Sequence, residues 1–388
     1  MTIRTKALAT GLALALAVTS TNVLAKVKIG FVATLSGGAA ALGQDMLDGF
    51  KLALDEHDGQ LGGQDIDLIV KDDQRKPSVA VQEVQKFILK DKVDLVAGVT
   101  FSNIMMAIAE PLADADMTFV GSNAGPAPLA GKKCNPGFFF ASWQNDNQSE
   151  VMGQYATDQG YKNVYVIVPN YQSGWDQVEG FKRFYDGTVT KEVYTRLGQK
   201  DFSSELLALS AAAPDAVFVF EPGGMGINFI KQYNQFGLMG KIPLLTVSTV
   251  DGTTLPALGR SAVGAIAGTF WGPDFDNSVS QDFVKAFEDK YDRIPSQYAA
   301  QAYDSARLIA SALQATDGDT DGQAFRDALR AADYKSLRGD YTFNKNGYPI
   351  QNFYAFKVVE NDAGQATLKT IAEPLTDHED AYVGECEY

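Results

Sequence analysis

Histidine and cysteine are nearly missing from this 388-residue sequence: His57 and His378 are the two histidines, Cys134 and Cys386 the two cysteines. Such a supply offers no histidine or cysteine pair at metal-ligand spacing, and no metal is expected. Basic charge is scarce as well, with 33 Lys and Arg against 48 Asp and Glu for a formal net charge of −15. An acidic chain without a basic patch is not built to hold nucleic acid. Beyond the N-terminus no apolar stretch is long enough for a membrane helix, which needs roughly 20 residues. Catalytic signatures are missing too. No Gly-x-Ser-x-Gly elbow and no Walker loop occurs. The run Gly223-Gly224-Met225-Gly226-Ile227-Asn228-Phe229 stands between a strand and a helix as a dinucleotide loop would, but Phe229 takes the place of its third glycine. The expectation is a protein that is not an enzyme and carries no cofactor.

What is present begins with a leader. Arg4 and Lys6 precede an apolar stretch over residues 7–18, then a polar turn at 19–22, and Val23-Leu24-Ala25 ends it with small-residue spacing. This is the pattern of a secretory signal peptide, with cleavage expected after Ala25 and the periplasm as destination. Loss of Arg4 and Lys6 moves the formal charge from −15 to −17, which suits solubility in an exposed compartment. In an oxidising compartment the pair Cys134 and Cys386 suggests one disulfide closing a very long loop, the alternative being two free thiols. With no cysteine after the leader, a lipid anchor is not expected.

The 363 residues after the leader exceed what one core usually organises, so two domains are expected. Short apolar runs alternate with amphipathic stretches: strands over 27–32, 66–70, 93–99 and 118–120, helices over 42–57, 79–89 and 102–113. The series restarts with a helix over 151–159, strands at 164–168, 193–197, 217–220 and 244–247, and helices at 174–185, 202–212 and 227–236. Two consecutive βα series imply two similar α/β lobes, each a parallel sheet covered on both faces, with residues 138–147 as the first crossover. After Trp271 come three helices at 283–290, 298–315 and 322–332, a turn at Asn344-Lys345-Asn346-Gly347 and a strand at 353–359. Helices without a sheet of their own must return to an earlier lobe. Several crossings make a hinge, with a cleft suited to a ligand between the lobes.

Ordered fragments over nearly the whole chain carry a likeness: residues 29–37 (Ile-Gly-Phe-Val-Ala-Thr-Leu-Ser-Gly) with Ala41-Leu42-Gly43-Gln44, then 98–103 (Gly-Val-Thr-Phe-Ser-Asn) and Val120-Gly121-Ser122-Asn123-Ala124. Pro169-Asn170-Tyr171-Gln172-Ser173-Gly174, Pro222-Gly223-Gly224-Met225, Arg293-Ile294-Pro295-Ser296 and Gln301-Ala302-Tyr303-Asp304 continue it. The chain resembles the leucine/isoleucine/valine-binding (type I) periplasmic solute receptors of ABC importers. The resemblance implies two flavodoxin-like, doubly wound lobes joined by a three-stranded hinge, with lobe 1 at 26–143 plus 275–345 and lobe 2 at 144–274 plus 346–388. It also implies a monomer that captures a small carboxylate ligand and delivers it to a membrane permease.

By the same resemblance the ligand's carboxylate sits at Ser102 and at the loop Asn123-Ala124-Gly125, near Ser36, Leu42 and Phe101. Independently, Ser102 stands where a strand passes into a helix, so free N–H groups and the helix dipole would face the cleft; its structural alternative is a helix cap. Amino-acid-binding relatives have a threonine at the place of Gly125, where only the backbone N–H would remain, with Asn123 as a substitute donor. Relatives also meet the ligand's ammonium with an acid, and Asp251 falls near that place. Tyr171 and Trp271 are the expected aromatic contacts. Asn123-Ala124-Gly125-Pro126-Ala127, Ser142-Trp143-Gln144-Asn145-Asp146, Trp271-Gly272-Pro273-Asp274 and the cysteine tail look like receptors for aromatic carboxylates such as benzoates or cinnamates. Asp251 argues against that, unless it or Glu221 accepts a phenolic hydroxyl; both could equally be solvated loop charges. The alternatives are a receptor for branched-chain or other hydrophobic amino acids, and a sensory domain serving a separate signalling partner.

Overall fold

The computed structural model describes residues 26–388, so the leader and its cleavage after Ala25 lie outside the described residues. The chain begins with β1 (Val27–Ala33), buried at every position but Lys28, as a central parallel strand of apolar residues must be. There follow α1 (Ala40–Asp55), β2 (Gln60–Leu61), β3 (Gln64–Asp72), α2 (Pro77–Lys86), β4 (Leu95–Gly98), α3 (Ser102–Asp114), β5 (Phe119–Gly121), α4 (Ala127–Ala130) and β6 (Phe138–Phe140). The strands form one six-stranded sheet in the order β2-β3-β1-β4-β5-β6, parallel apart from the short β2–β3 hairpin.

The second series is α5 (Asn145–Asp158), β7 (Asn163–Pro169), α6 (Gln172–Phe184), β8 (Thr188–Thr195), α7 (Ser203–Ala212), β9 (Ala216–Val219), α8 (Gly224–Gln235), β10 (Leu244–Thr246), α9 (Leu255–Leu258) and β11 (Ile266–Thr269). Then come α10 (Ser278–Tyr291), α11 (Gln297–Ala315), α12 (Gly322–Ala331), β12 (Thr342–Phe343), β13 (Pro349–Glu360) and β14 (Ala366–His378). The second sheet runs β12-β13-β11-β10-β9-β7-β8, with β14 on the free edge of β13. Its β7 to β11 pairs are parallel, and the β13 pairs are antiparallel. α11 packs on α1 of the first sheet and α12 on α11, so the late helices do return to the earlier lobe.

The chain therefore passes between the two sheets three times. One side chain holds the passages together. Arg338, 7% exposed, donates to the carbonyls of Ala141 and Ser142 on the first passage, to Gln351 Oε1 on β13 and to Asp304 Oδ2 of α11. Its guanidinium also lies 4.3 Å from the ring centroid of Phe270, at the second passage. A second tie is covalent: the Cys134–Cys386 disulfide, spanning 252 residues, joins the loop before β6 to the tail beyond β14.

Three local expectations change. Residues 138–140 are the last strand of the first sheet, and the passage follows them. The helix expected over 79–89 ends at Lys86 and continues as a π-helical turn over Phe87–Asp91. The strand expected at 193–197 is the half-exposed edge strand β8, set back to Thr188–Thr195. β14 has no counterpart in the sequence reading. Its Lys369, Glu373, Pro374 and Asp377 interrupt any apolar run, because an antiparallel edge strand needs only one covered face.

Candidate ligand cleft

Both sheets present the C-terminal ends of their parallel strands to the space between them, where open α/β sheets bind ligands. Two residues mark the exits. Val99 after β4 has φ +72° and Ser248 after β10 has φ +48°. A β-branched residue at positive φ is strained, and such strain is held where the surrounding fold dictates it. Here the turn at Val99, pinned by its N–H donating to Val32 O at 2.8 Å, swings residues 100–102 toward the second sheet.

The space between the two walls amounts to about 330 Å³, open solvent at its mouth included. The helices and loops around the first sheet supply Leu42, Thr100, Phe101, Ser102, Asn123 and Ala124 to its wall, and Tyr298 reaches in from the start of α11. On the other side stand Trp143 of the first passage, Asn145 and Gln148 of α5, Tyr171, Ser173 and Gln177 at the start of α6, and Phe220, Pro222 and Ser248. Tyr171 links the two walls, its ring centroid 6.3 Å from that of Phe101 and 6.2 Å from that of Phe220, nearly parallel to the latter. Five aromatic side chains thus surround the space, and none of the lining residues is Asp, Glu, Lys or Arg.

Ser102 is the first residue of α3, with Phe101 in the capping position, and it makes no cap bond. The N–H groups of Ile104 and Met105 donate to Phe101 O, which leaves those of Ser102 and Asn103 at the open end of the helix. Ser102 Oγ accepts from Asn145 Nδ2 at 2.9 Å, so its own O–H remains free to donate. Asn145 Nδ2 also donates to Asp176 Oδ2 at 2.7 Å, and Asn145 Oδ1 accepts from Gly125 N–H at 3.2 Å. The Gly125 N–H, expected to meet the ligand, is thus engaged inside the protein. Its glycine answers to a close approach instead: a Cβ there would lie 2.0 Å from Trp143 O. Asn123 is held at both ends, donating to Thr100 O at 2.6 Å and accepting from Gln301 Nε2 at 2.8 Å.

Of the other expected residues, Ser36 is exposed and outside the cavity wall. Glu221 is buried just behind it, between Phe220 and Pro222. Its Oε1 accepts from Thr195 Oγ1 at 2.6 Å, its Oε2 has no partner among the described residues, and burial pushes the carboxyl up to about 8. Asp251 accepts from the N–H and O–H of Thr253 at 2.8 and 2.6 Å, and burial raises its pKa. Asp251 and Trp271 line a separate, larger pocket of about 1,070 Å³, open solvent included, bounded by Pro295 and Ser296 and by the β13–β14 turn. There the Trp271 indole donates to Ser280 Oγ at 2.8 Å and packs edge-on against Phe283. Sequence reasoning passed over Asn145, Gln148 and Gln177. The available signal was their spacing: Asn145 and Gln148, like Ser173 and Gln177, fall on one helix face.

A family model described as periplasmic binding protein matches residues 26–365. The chain belongs to the periplasmic binding protein family. Members of this kind serve as the solute-binding component of ABC transporters. Among its relatives this periplasmic binding protein is 26% identical over 356 residues to Leu/Ile/Val-binding protein homolog 6 of Brucella melitensis, covering 89% of this chain and 90% of that one. It also superposes on the solute-binding protein of an R. palustris ABC transporter in complex with benzoate (TM-score 0.88, 27% identity, 94% of this chain and 100% of that one). A solute-binding protein from Rhodopseudomonas palustris BisB5 in complex with 3,4-dihydroxybenzoic acid gives a TM-score of 0.85 at 27% identity, covering 92% of this chain and 99% of that one. The two-sheet, type I architecture is therefore shared with these solute-binding proteins of ABC transporters.

Proposed function

We propose that this periplasmic binding protein captures an aromatic carboxylate in the cleft and presents it to the permease of an ABC importer. The observation that carries the reading is the composition of the cavity wall: five aromatic side chains and no acid. An amino acid brings an α-ammonium that, once buried, needs an anionic or strongly accepting partner. The two acids expected for that work lie elsewhere, Glu221 behind the wall and neutral below about pH 8, Asp251 in the neighbouring cavity. The benzoate and dihydroxybenzoate bound by the similar proteins support the same class.

In this reading the carboxylate meets the open end of α3 and the Ser102 hydroxyl, where free N–H groups and the helix dipole favour an anion. The ring lies among Phe101, Tyr171 and Phe220. The lobes, taken as 26–143 plus 275–345 and 144–274 plus 346–388, close over it about the three passages. Close approaches across the cleft fit a closed form. A Cβ on Gly224 would stand 2.6 Å from Gly38 O, and one on Gly252 would stand 2.8 Å from Ser296 Cα. Isothermal titration of the purified protein with benzoate, 4-hydroxybenzoate and leucine tests the reading. Binding of an aromatic acid without leucine binding is expected. Leucine bound in preference to both aromatic acids would refute it and favour the amino-acid receptor that the relative's name suggests.

A further inference from the structure

The cavity wall contains two glutamines with buried amide atoms that find no partner among the described residues. Gln148 of α5 and Gln177 of α6 are each 1% exposed, and both line the cleft. Gln148 Oε1 accepts from Ser248 Oγ at 3.3 Å, while its Nε2 has no hydrogen-bond partner among the described residues. Gln177 makes no side-chain hydrogen bond among the described residues, and its acceptor Oε1 is the atom buried without a partner. An unpaired buried amide is costly, and native proteins leave few of them. One wall therefore offers a donor without an acceptor and an acceptor without a donor.

We infer that Gln148 and Gln177 read a hydroxyl group on the ring of the ligand, which makes this a receptor for hydroxylated aromatic acids in preference to unsubstituted ones. The inference rests on the aromatic-acid reading of the same cleft. A hydroxyl both accepts and donates, so its chemistry matches both the Gln148 Nε2–H and the Gln177 Oε1 of that wall. A second carboxylate would satisfy the donor and repel the acceptor. An ammonium would do the reverse. A methyl or an unsubstituted ring edge would satisfy neither and would seal both amides away from water. The geometry orders the ligand accordingly: both glutamines belong to the helices after the first passage, whereas Ser102 and the open end of α3 belong to the first sheet. Carboxylate and hydroxyl are thus recognised by opposite lobes, and only closure brings both sets of groups to one ring.

The test is calorimetric titration of the wild-type protein with benzoate, 4-methylbenzoate, 3-hydroxybenzoate and 4-hydroxybenzoate, repeated with Gln148→Met and Gln177→Met, which keep the side-chain length. One of the hydroxybenzoates is expected to bind at least about tenfold more tightly than benzoate and than the methyl compound, the factor that 1.4 kcal/mol of hydrogen bonding represents. Each methionine variant is expected to lose most of that preference for the hydroxylated ring over benzoate. Equal wild-type affinities for benzoate and both hydroxybenzoates overturn the inference and leave the aromatic-acid reading standing. A preference that survives both substitutions overturns it as well. If no aromatic acid binds, the reading of the cleft fails and the inference falls with it. The wild-type ligand series decides the matter even where a variant does not fold.

Discussion

Gly252 is the residue at which closure of the cleft can be separated from folding. It follows β10 of the second sheet, and a Cβ built on it would lie 2.8 Å from Ser296 Cα, 2.9 Å from Pro295 O and 2.9 Å from Ser296 N, at the foot of α11 on the first lobe. All three are backbone atoms and cannot swing aside. Ordinary Cβ contacts begin at 3.4 Å, so the lobes would have to part by about half an ångström. The φ of Gly252 is not in the left-handed region, so alanine meets no backbone strain there and acts through the contact alone. Overpacking of this kind costs about 1–3 kcal/mol. Charged against closure, that is roughly a 5- to 150-fold rise in Kd. Gly252→Ala should therefore weaken the ligand by that factor in calorimetry and leave the melting temperature of the unliganded, open protein where it was. Gly174→Ala is the contrasting variant. Its Cβ would lie 1.9 Å from Pro169 O within one βα unit, so it should lower the unliganded melting temperature. An unchanged Kd for Gly252→Ala, or unliganded destabilisation as large as that of Gly174→Ala, would refute the reasoning.

Four further outcomes follow from the same structure. Ser102→Ala removes a hydroxyl donor to a charged ligand, worth about 1.5–3 kcal/mol, and should raise the Kd at least tenfold in the same titration; an unchanged Kd places the carboxylate elsewhere. Glu221 titrates near 4.5 when unfolded and about 8 when buried, so between those values the native state holds a proton that the unfolded state has lost, and stability falls as pH rises through the window. Glu221→Gln should remove that loss, and its melting temperature should gain on wild type by several degrees between pH 5 and pH 8; parallel curves would contradict the burial argument. Arg338→Met strands Asp304, fully buried beside it, and should cost about 3–5 kcal/mol in urea unfolding, with a loss under about 1 kcal/mol as the refuting result. Reduction of Cys134–Cys386 releases a loop of 252 residues and should destabilise by roughly 4–5 kcal/mol on the chain-entropy model, seen as a lower melting temperature in dithiothreitol.

How far the sequence reveals this molecule depends on whether the deciding contact is local. The parallel strands β1, β4 and β7 are buried on both faces, so each shows as an apolar run between amphipathic stretches, and their order alone implies two doubly wound sheets. Phe101, Ser102, Asn123, Ala124 and Tyr171 line the cleft because each follows the end of a strand, a placement that strand–helix alternation makes visible. Asp251 and Trp271 also follow strands, yet they face the outer cavity. A loop's sequence does not record which side of it the other lobe covers.

The glutamines show the same limit from the opposite side. Residues 144–150 read Gln-Asn-Asp-Asn-Gln-Ser-Glu, a polar run that on sequence alone belongs to the first crossover and the stretch before the helix at 151–159. All seven are buried, because α5 lies against β11 and β13 of its own sheet and against α6, and polar groups there must find partners within the protein or in a ligand. Most do: Asp146 and Glu150 share Arg183, Asn147 bonds Glu150, and Asn145 bridges Ser102 and Asp176. Gln148 keeps an unpaired Nε2 and faces the cleft. A helix that buries seven successive polar residues is therefore where specificity is most economically placed, since a ligand group that completes the network gains a bond the folded protein has already been shaped to make.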